Sequence, residues 1–249
     1  MTQAAARTVL ITGGGSGMGR ATAEKFAANG YDVIVVGRRP EALRTTAEFA
    51  PDRITWFQGD VTRDEDRAGM LAAAIERTGR LDVLVNNAAF QKSALFADFT
   101  REDIDLHILT NLTAPLLLIQ AALPHLTRTR GNVVNVTSAA TLHYGQPPAQ
   151  VTPYAAAKAG LNQLTRQLAG EVGQDGIRIN AVSPGFTDTE MAAKAMAIPA
   201  AVEWMIGETA LRRVGRADDI ADVIFFLASD QARWITGEII QVAGGMYLK

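Results

Sequence analysis

Short apolar runs rich in β-branched residues alternate with longer helix-like stretches along the whole chain. Thr8–Thr12, Val33–Val36, Ile54–Phe57, Leu81–Val85, Asn132–Val136, Ile177–Val182 and Glu238–Val242 read as strands. Gly19–Asn29, Pro40–Ala50, Asp64–Thr78, Arg101–Leu126 and Tyr154–Val172 read as helices between them. Ile220, Val223, Ile224 and Leu227 keep the i, i+3, i+4, i+7 spacing of a buried helix face. Several strands are continuously apolar rather than alternating, as parallel strands covered on both faces are. Repeated β–α–β crossovers predict an α/β chain with a doubly wound parallel sheet of about seven strands and helices on both faces. Two segments modify that rhythm. A bend is expected at Pro115 in the long helix. Residues 190–210 read as a helical lid inserted within one domain that spans 1–249.

Composition narrows the setting. The chain has 249 residues, 48% of them hydrophobic and 20% charged, which suits one globular domain. A chain of that size buries enough surface to need no metal or disulfide. The net charge is −2 and no basic run exceeds two residues, so no nucleic-acid partner is expected. No contiguous apolar run approaches the ~18 residues of a membrane span, and no signal core is evident, so a cytoplasmic protein away from the membrane is expected. There are no cysteines, which removes thiolate chemistry. His107 and His125 lack ligand spacing, and no metal is expected.

The first strand runs into Gly13, Gly14, Gly15, Gly17 and Gly19, five of the 22 glycines. Glycine permits a tight turn and close approach to a ligand, and the following helix start offers N–H groups to a phosphate. Arg20 and Ala21 follow Gly19, which excludes a P-loop. Met18 stands where a nucleophile elbow or a G-x-G-x-x-G turn would need glycine. The remaining pattern is Thr12-Gly13-x-x-x-Gly17-x-Gly19, with Gly15, Ser16 and Met18 inside it. The second strand ends Val36-Gly37-Arg38-Arg39, with no carboxylate to repel a ribose 2′-phosphate and two arginines to bind one. That end favours NADP(H), with NAD(H) kept as the alternative.

Tyr154 and Lys158 are four apart on one helix face. A nearby ammonium favours the phenolate and tunes the phenol for proton transfer. Thr137-Ser138 closes a strand at the edge where such sheets bind ligands.

With these residues in place, the chain resembles the short-chain dehydrogenase/reductase family over essentially its whole length. Thr12–Gly19 resembles that family's cofactor turn, and the fold implied is Rossmann-like. Asp60-Val61 resembles its adenine-holding pair, and Asn86-Asn87-Ala88-Ala89 its Asn-Asn-Ala-Gly motif. Asn111, Ser138, Tyr154 and Lys158 resemble its catalytic four. Pro184-Gly185 with Thr187 and Thr189 resembles the stretch at the nicotinamide carboxamide. The resemblance implies that Tyr154 is general acid and that Ser138 steadies the carbonyl oxygen. It implies that Lys158 lowers the Tyr154 pKa and binds ribose, and that Asn111 holds a relay water. It also implies a homotetramer, with a dimer as the alternative.

Ala89 and Ala243 depart from the family pattern. Ser138 and Tyr154 stand 16 apart, longer than usual, so the 143–153 loop is expected to reshape the pocket. Phe90, Gln91, Ala140, Tyr144, Gln150, Met191 and Trp204 are the expected substrate residues, with Leu142, Met196 and Gln146 nearby. The expected activity is NADPH-dependent reduction of a ketone to a secondary alcohol. The alternatives are the oxidative direction and a non-catalytic NADP-binding protein. An acyl-carrier contact at Arg128 and Arg130 is weighed against an ordinary solvated loop.

Overall fold

The computed structural model describes residues 6–142 and 150–246. Its strands are β1 (Thr8–Thr12), β2 (Asp32–Gly37), β3 (Ile54–Gln58), β4 (Val83–Asn86), β5 (Asn132–Val136), β6 (Arg178–Pro184) and β7 (Ile239–Val242). All pair in parallel, in the order β3-β2-β1-β4-β5-β6-β7. The helices are α1 (Gly17–Ala28), α2 (Pro40–Ala47), α3 (Asp64–Thr78), α4 (Arg101–Ile108), α5 (Ala114–Thr129), α6 (Thr152–Val172), α7 (Ala193–Met196), α8 (Pro199–Glu208) and α9 (Ala217–Ala228). The chain winds outward from β1 to β3, then returns to the other side of β1 with β4. That reversal opens a crevice at the carboxyl ends of β1 and β4.

Strand side chains alternate between two cores. Val9 and Ile11 pack with Phe26 of α1 and with Ile220, Ile224 and Leu227 of α9. Leu10 faces the other way, onto Met70 of α3, Leu118 and Ile119 of α5 and Val172 of α6. Each buried Leu or Ile contributes about 1.5–3 kcal/mol. β1, β4 and β5 are buried throughout, which explains the apolar runs Val9–Ile11 and Val83–Val85; in β5 the buried Asn135 amide is satisfied by Asn86 and Thr165. The edge strands β3 and β7 are not.

In the long central helix an irregularity lies one turn before Pro115. A π-helical segment, Leu109–Thr113, lies between α4 and α5, and the Ala114 N–H donates to the Leu109 carbonyl five residues back. Pro115 has no N–H to give the Asn111 carbonyl four residues earlier. Its effect therefore falls one turn upstream, on the residues around Asn111. By length and composition, Arg101–Thr129 could cross a membrane, although no contiguous apolar run suggested it. Its Ala114, Leu118, Ile119, Ala122 and Leu126 are buried in this protein's own core.

Residues 190–208 are helical: a 3-10 turn at Glu190–Ala192 leads into α7 and α8. α2 stops at Ala47, short of the expected Ala50. β4 begins at Val83 rather than Leu81.

Candidate active site

The glycine turn is built against the end of β4. The Thr12 hydroxyl accepts from the Asn87 and Ala88 N–H groups, each at 3.0 Å. The Asn87 amide donates to the Thr12 and Gly13 carbonyls at 2.9 and 3.1 Å. Gly13 has φ +68°, a left-handed conformation that suits glycine. A Cβ on Gly19 would lie 2.2 Å from the Gly13 carbonyl oxygen. The Ser16 side chain, at the N-cap of α1, makes no capping bond. The first N–H groups of α1 thus have no side-chain cap, the arrangement that receives a phosphate.

A cleft of about 500 Å³ runs from this turn across the ends of β2 and β3. Gly13, Gly15, Ser16, Gly17, Met18 and Gly19 line it, and Arg38, Arg39, Asp60, Val61, Asn87 and Ala88 continue its wall. The loop after β3 is held firmly. The Asp60 carboxylate accepts from the Thr62 N–H and hydroxyl at 2.9 and 2.8 Å. The Asp60 N–H donates to Asp66 at 2.8 Å, and Arg67 donates to the Val61 carbonyl at 2.6 Å. Arg38 is exposed, and among the described residues its guanidinium has no partner. Arg39 makes a two-pronged ion pair with Glu190, one prong being Nη2 to Oε2 at 2.5 Å. A glycine-floored trough with an uncapped helix start and an arginine end fits a dinucleotide.

At the chemical end, β5 runs into Ser138, and Tyr154 and Lys158 project from α6. The Tyr154 phenol hydrogen-bonds Ser138, which pulls its pKa down, but burial dominates and raises it. The Lys158 ammonium is fully buried and donates to the Val136 carbonyl at 2.7 Å. Burial brings its pKa down to about 7. In the cofactor-free enzyme, burial rather than Lys158 sets the direction in which the phenol's pKa moves. The lysine lies 5.7 Å from the Tyr154 ring centre, and desolvation outweighs any attraction across that gap.

Asn111 is fully buried in the π-helical segment. Its Oδ1 accepts from the Phe90 N–H at 3.2 Å, and its Nδ2 donates to the Phe90 and His107 carbonyls at 2.8 and 2.9 Å. The amide is thus committed to the loop that follows β4. His107 completes that clamp. Its Nε2 accepts from the Lys92 N–H at 3.1 Å, which leaves the proton on Nδ1 for the Asp103 carbonyl at 2.6 Å. Sequence spacing gave no sign of this role, because its partners are backbone atoms.

A second cleft, of about 690 Å³, opens beside Ser138 and Tyr154. Pro184, Gly185 and Thr187 line it, and Met18, Gln91, Thr189 and Met191 line both clefts. Of the expected substrate residues, Gln91, Ala140 and Met191 line this cleft, whereas Phe90 faces the first one. Gln150 is corrected: it is not in the lining, and its backbone carbonyl accepts from Ala94 and Ser93 instead. Trp204 is also corrected. It packs edge-on against Phe186 at 5.1 Å, and its neighbour Met205 reaches the cleft. Leu142 and Met196 are absent from the wall. Tyr144, His143, Gln146 and Pro147-Pro148 lie outside the described residues. Thr141, Ala155, Ala195 and Met246 were missed; for Ala155, its place beside Tyr154 on α6 was the available signal. No charged side chain stands among the described lining residues. Nor do three His, Asp or Glu side chains converge anywhere among the described residues. Arg128 and Arg130 precede β5, at the sheet edge opposite both clefts, and Arg128 contacts His125 at 2.9 Å.

Comparison with known proteins decides the family. The model described as enoyl-(acyl carrier protein) reductase, one of the short-chain dehydrogenase/reductase models, matches residues 13–247. The chain is a short-chain dehydrogenase/reductase. This dehydrogenase/reductase is 36% identical to the 3-oxoacyl-[acyl-carrier-protein] reductase FabG of Thermotoga maritima, over 97% of this chain and 98% of that one. It is 38% identical to the 3alpha-hydroxysteroid dehydrogenase of Mediterraneibacter gnavus, over 96% of each. The crystal structure of levodione reductase superposes with a TM-score of 0.89 at 34% identity, covering 96% of each chain. The short-chain dehydrogenase/reductase is therefore an oxidoreductase of carbonyl and alcohol groups.

Proposed function

We propose that this enzyme reduces a neutral, largely apolar ketone to a secondary alcohol with NADPH. The observation that carries the reading is the Ser138–Tyr154 pair on the wall of a cleft with no charged side chain among its described lining residues, which shares four residues with the glycine-floored trough. NADPH, when bound, supplies a hydride to the carbonyl carbon. Gly13, Gly15, Ser16, Gly17, Met18 and Gly19 would cradle its pyrophosphate, Asp60 and Val61 its adenine, and Arg38 and Arg39 its 2′-phosphate. Asn87 and Ala88 would back the inner ribose region, and Pro184, Gly185, Thr187 and Thr189 the nicotinamide end.

Tyr154 donates its proton to the carbonyl oxygen, and burial keeps the phenol protonated until that moment. Ser138 donates a hydrogen bond to the same oxygen as negative charge develops there. Lys158 holds the ribose hydroxyls beneath the site. Asn111 fixes the loop that bounds the cleft and offers its backbone carbonyl to a relay water. An intact Ser138, Tyr154 and Lys158 set speaks against a merely binding protein. The 3-oxoacyl, hydroxysteroid and levodione relatives all carry their chemistry at a ketone or secondary alcohol, which supports the substrate class. The exposed Leu109 and Leu116 would supply apolar surface for a homotetramer.

The test is oxidation of NADPH and of NADH against 3-oxoacyl thioesters, cyclic ketones, diketones and steroid ketones. Turnover with NADPH in preference to NADH on uncharged ketones is expected. Turnover confined to carboxylate-bearing substrates, or to NADH, would overturn the reading.

A further inference from the structure

The proposed 2′-phosphate subsite already holds an anion of the protein's own. Glu190 opens the segment that carries α7 and α8, and it reaches back across the trough to Arg39. The two terminal guanidinium nitrogens of Arg39 each donate to one carboxylate oxygen of Glu190, the two-pronged geometry that an arginine also offers a phosphate. Arg39 Nη2 also lies 3.4 Å from the Ser16 hydroxyl, and Ser16 hydrogen-bonds Glu190. One residue earlier, Thr189 lies over the glycine turn, where a Cβ on Gly17 would meet it at 3.2 Å. These contacts lower the Glu190 pKa to about 2, so the carboxylate is charged throughout the working range. Arg38, one residue before Arg39, has no such partner among the described residues.

We propose that Glu190 is a specificity-determining residue: an internal carboxylate that competes with the cofactor's 2′-phosphate for Arg39 and Ser16. The inference rests on the reading of Arg38 and Arg39 as the phosphate end. NADPH must displace Glu190 from Arg39, whereas NADH leaves the pair intact. Glu190 therefore narrows the preference that the two arginines would otherwise impose. It also ties the choice of cofactor to the position of the segment beside the substrate cleft, because Met191 lines both clefts.

The experiment measures dissociation constants by calorimetry for NADPH, NADH and adenosine 2′,5′-bisphosphate, on the native enzyme, Glu190→Gln and Arg39→Ala. Glu190→Gln keeps the side chain's size and removes its charge. The expected result is about a tenfold tightening of NADPH and of the bisphosphate, with NADH moving less than twofold. An unchanged ratio of NADPH to NADH affinity in Glu190→Gln overturns the proposal, as does equal tightening of both. The cofactor reading is scored separately. Its failure shows as NADH binding more tightly than NADPH to the native enzyme, with Arg39→Ala leaving both unaltered. Unchanged melting temperature confirms that Glu190→Gln is folded, as an exposed surface pair predicts.

Discussion

The Lys158 side-chain nitrogen lies 5.7 Å from the centre of the Tyr154 ring, with both side chains buried on one face of α6. Burial moves the two groups in opposite directions, the phenol up and the ammonium down to about 7. Stability then depends on pH with a definite sign. Lys158 binds fewer protons folded than unfolded between about 7 and its ordinary 10.5, so its contribution is present above 10.5 and lost as pH falls toward 7. Tyr154 keeps its proton in the fold above its ordinary 10.0, so its contribution is lost as pH rises beyond that point. Melting of the cofactor-free enzyme against Lys158→Met at successive pH values checks this. The variant's advantage in melting temperature should shrink steadily from pH 7 to 10. A constant difference would show that Lys158 is not desolvated as described.

Tyr154→Phe removes the proton and keeps the ring. The rate constant should fall by about 10²–10⁴ while NADPH affinity stays within a few fold. Ser138→Ala should cost about 10²–10³ in kcat. Steady-state kinetics with parallel binding titrations reads both, and a near-normal rate for Tyr154→Phe would remove it from the chemistry.

Gly19→Ala tests the turn. Alanine in a helix ordinarily gains about 1 kcal/mol over glycine. Here the new Cβ would sit 2.2 Å from the Gly13 carbonyl oxygen and 2.6 Å from the Asn87 amide. The sign should reverse, with a loss of about 1–3 kcal/mol in denaturant unfolding and weakened binding of either cofactor.

Arg38→Ala should weaken NADPH by about tenfold or more and NADH little, because a charge-assisted bond is worth about 1.5–3 kcal/mol. Fluorescence titration distinguishes this from an equal loss for both, which would place Arg38 away from the phosphate.

The architecture was legible because a parallel sheet covered on both faces writes its strands as unbroken apolar runs, as in Val33–Val36. The edge strands β3 and β7 were found from their β-branched residues despite thinner burial. Gly13 and Gly19 were legible because their roles depend on local backbone. What sequence could not show depends on contacts between distant segments or on backbone atoms. The Arg39–Glu190 pair joins residues 151 apart. The His107 clamp reads a backbone N–H that no side-chain pattern encodes. Trp204 was misplaced because a one-residue rotation on α8 decides which of Trp204 and Met205 faces the cleft. Pro115 marked an irregularity in the long helix, but not the π-helical turn at Asn111, because the missing donor acts on a carbonyl four residues earlier.

The cleft is closed by the latest of its strands. The Gly185 N–H donates to the Val242 carbonyl at 3.1 Å, and the Leu211 N–H donates to the Gly244 carbonyl at 3.0 Å. During ribosomal synthesis, the serine, tyrosine and lysine emerge well before the residues that brace the cleft at Gly185 and Leu211. A growing chain thus carries its chemical groups without a finished place to use them, and β6 waits as an unpaired edge open to wrong pairing. Catalytic competence should therefore switch on only once the stretch through Gly244 has left the ribosome and docked, rather than building up in proportion to length.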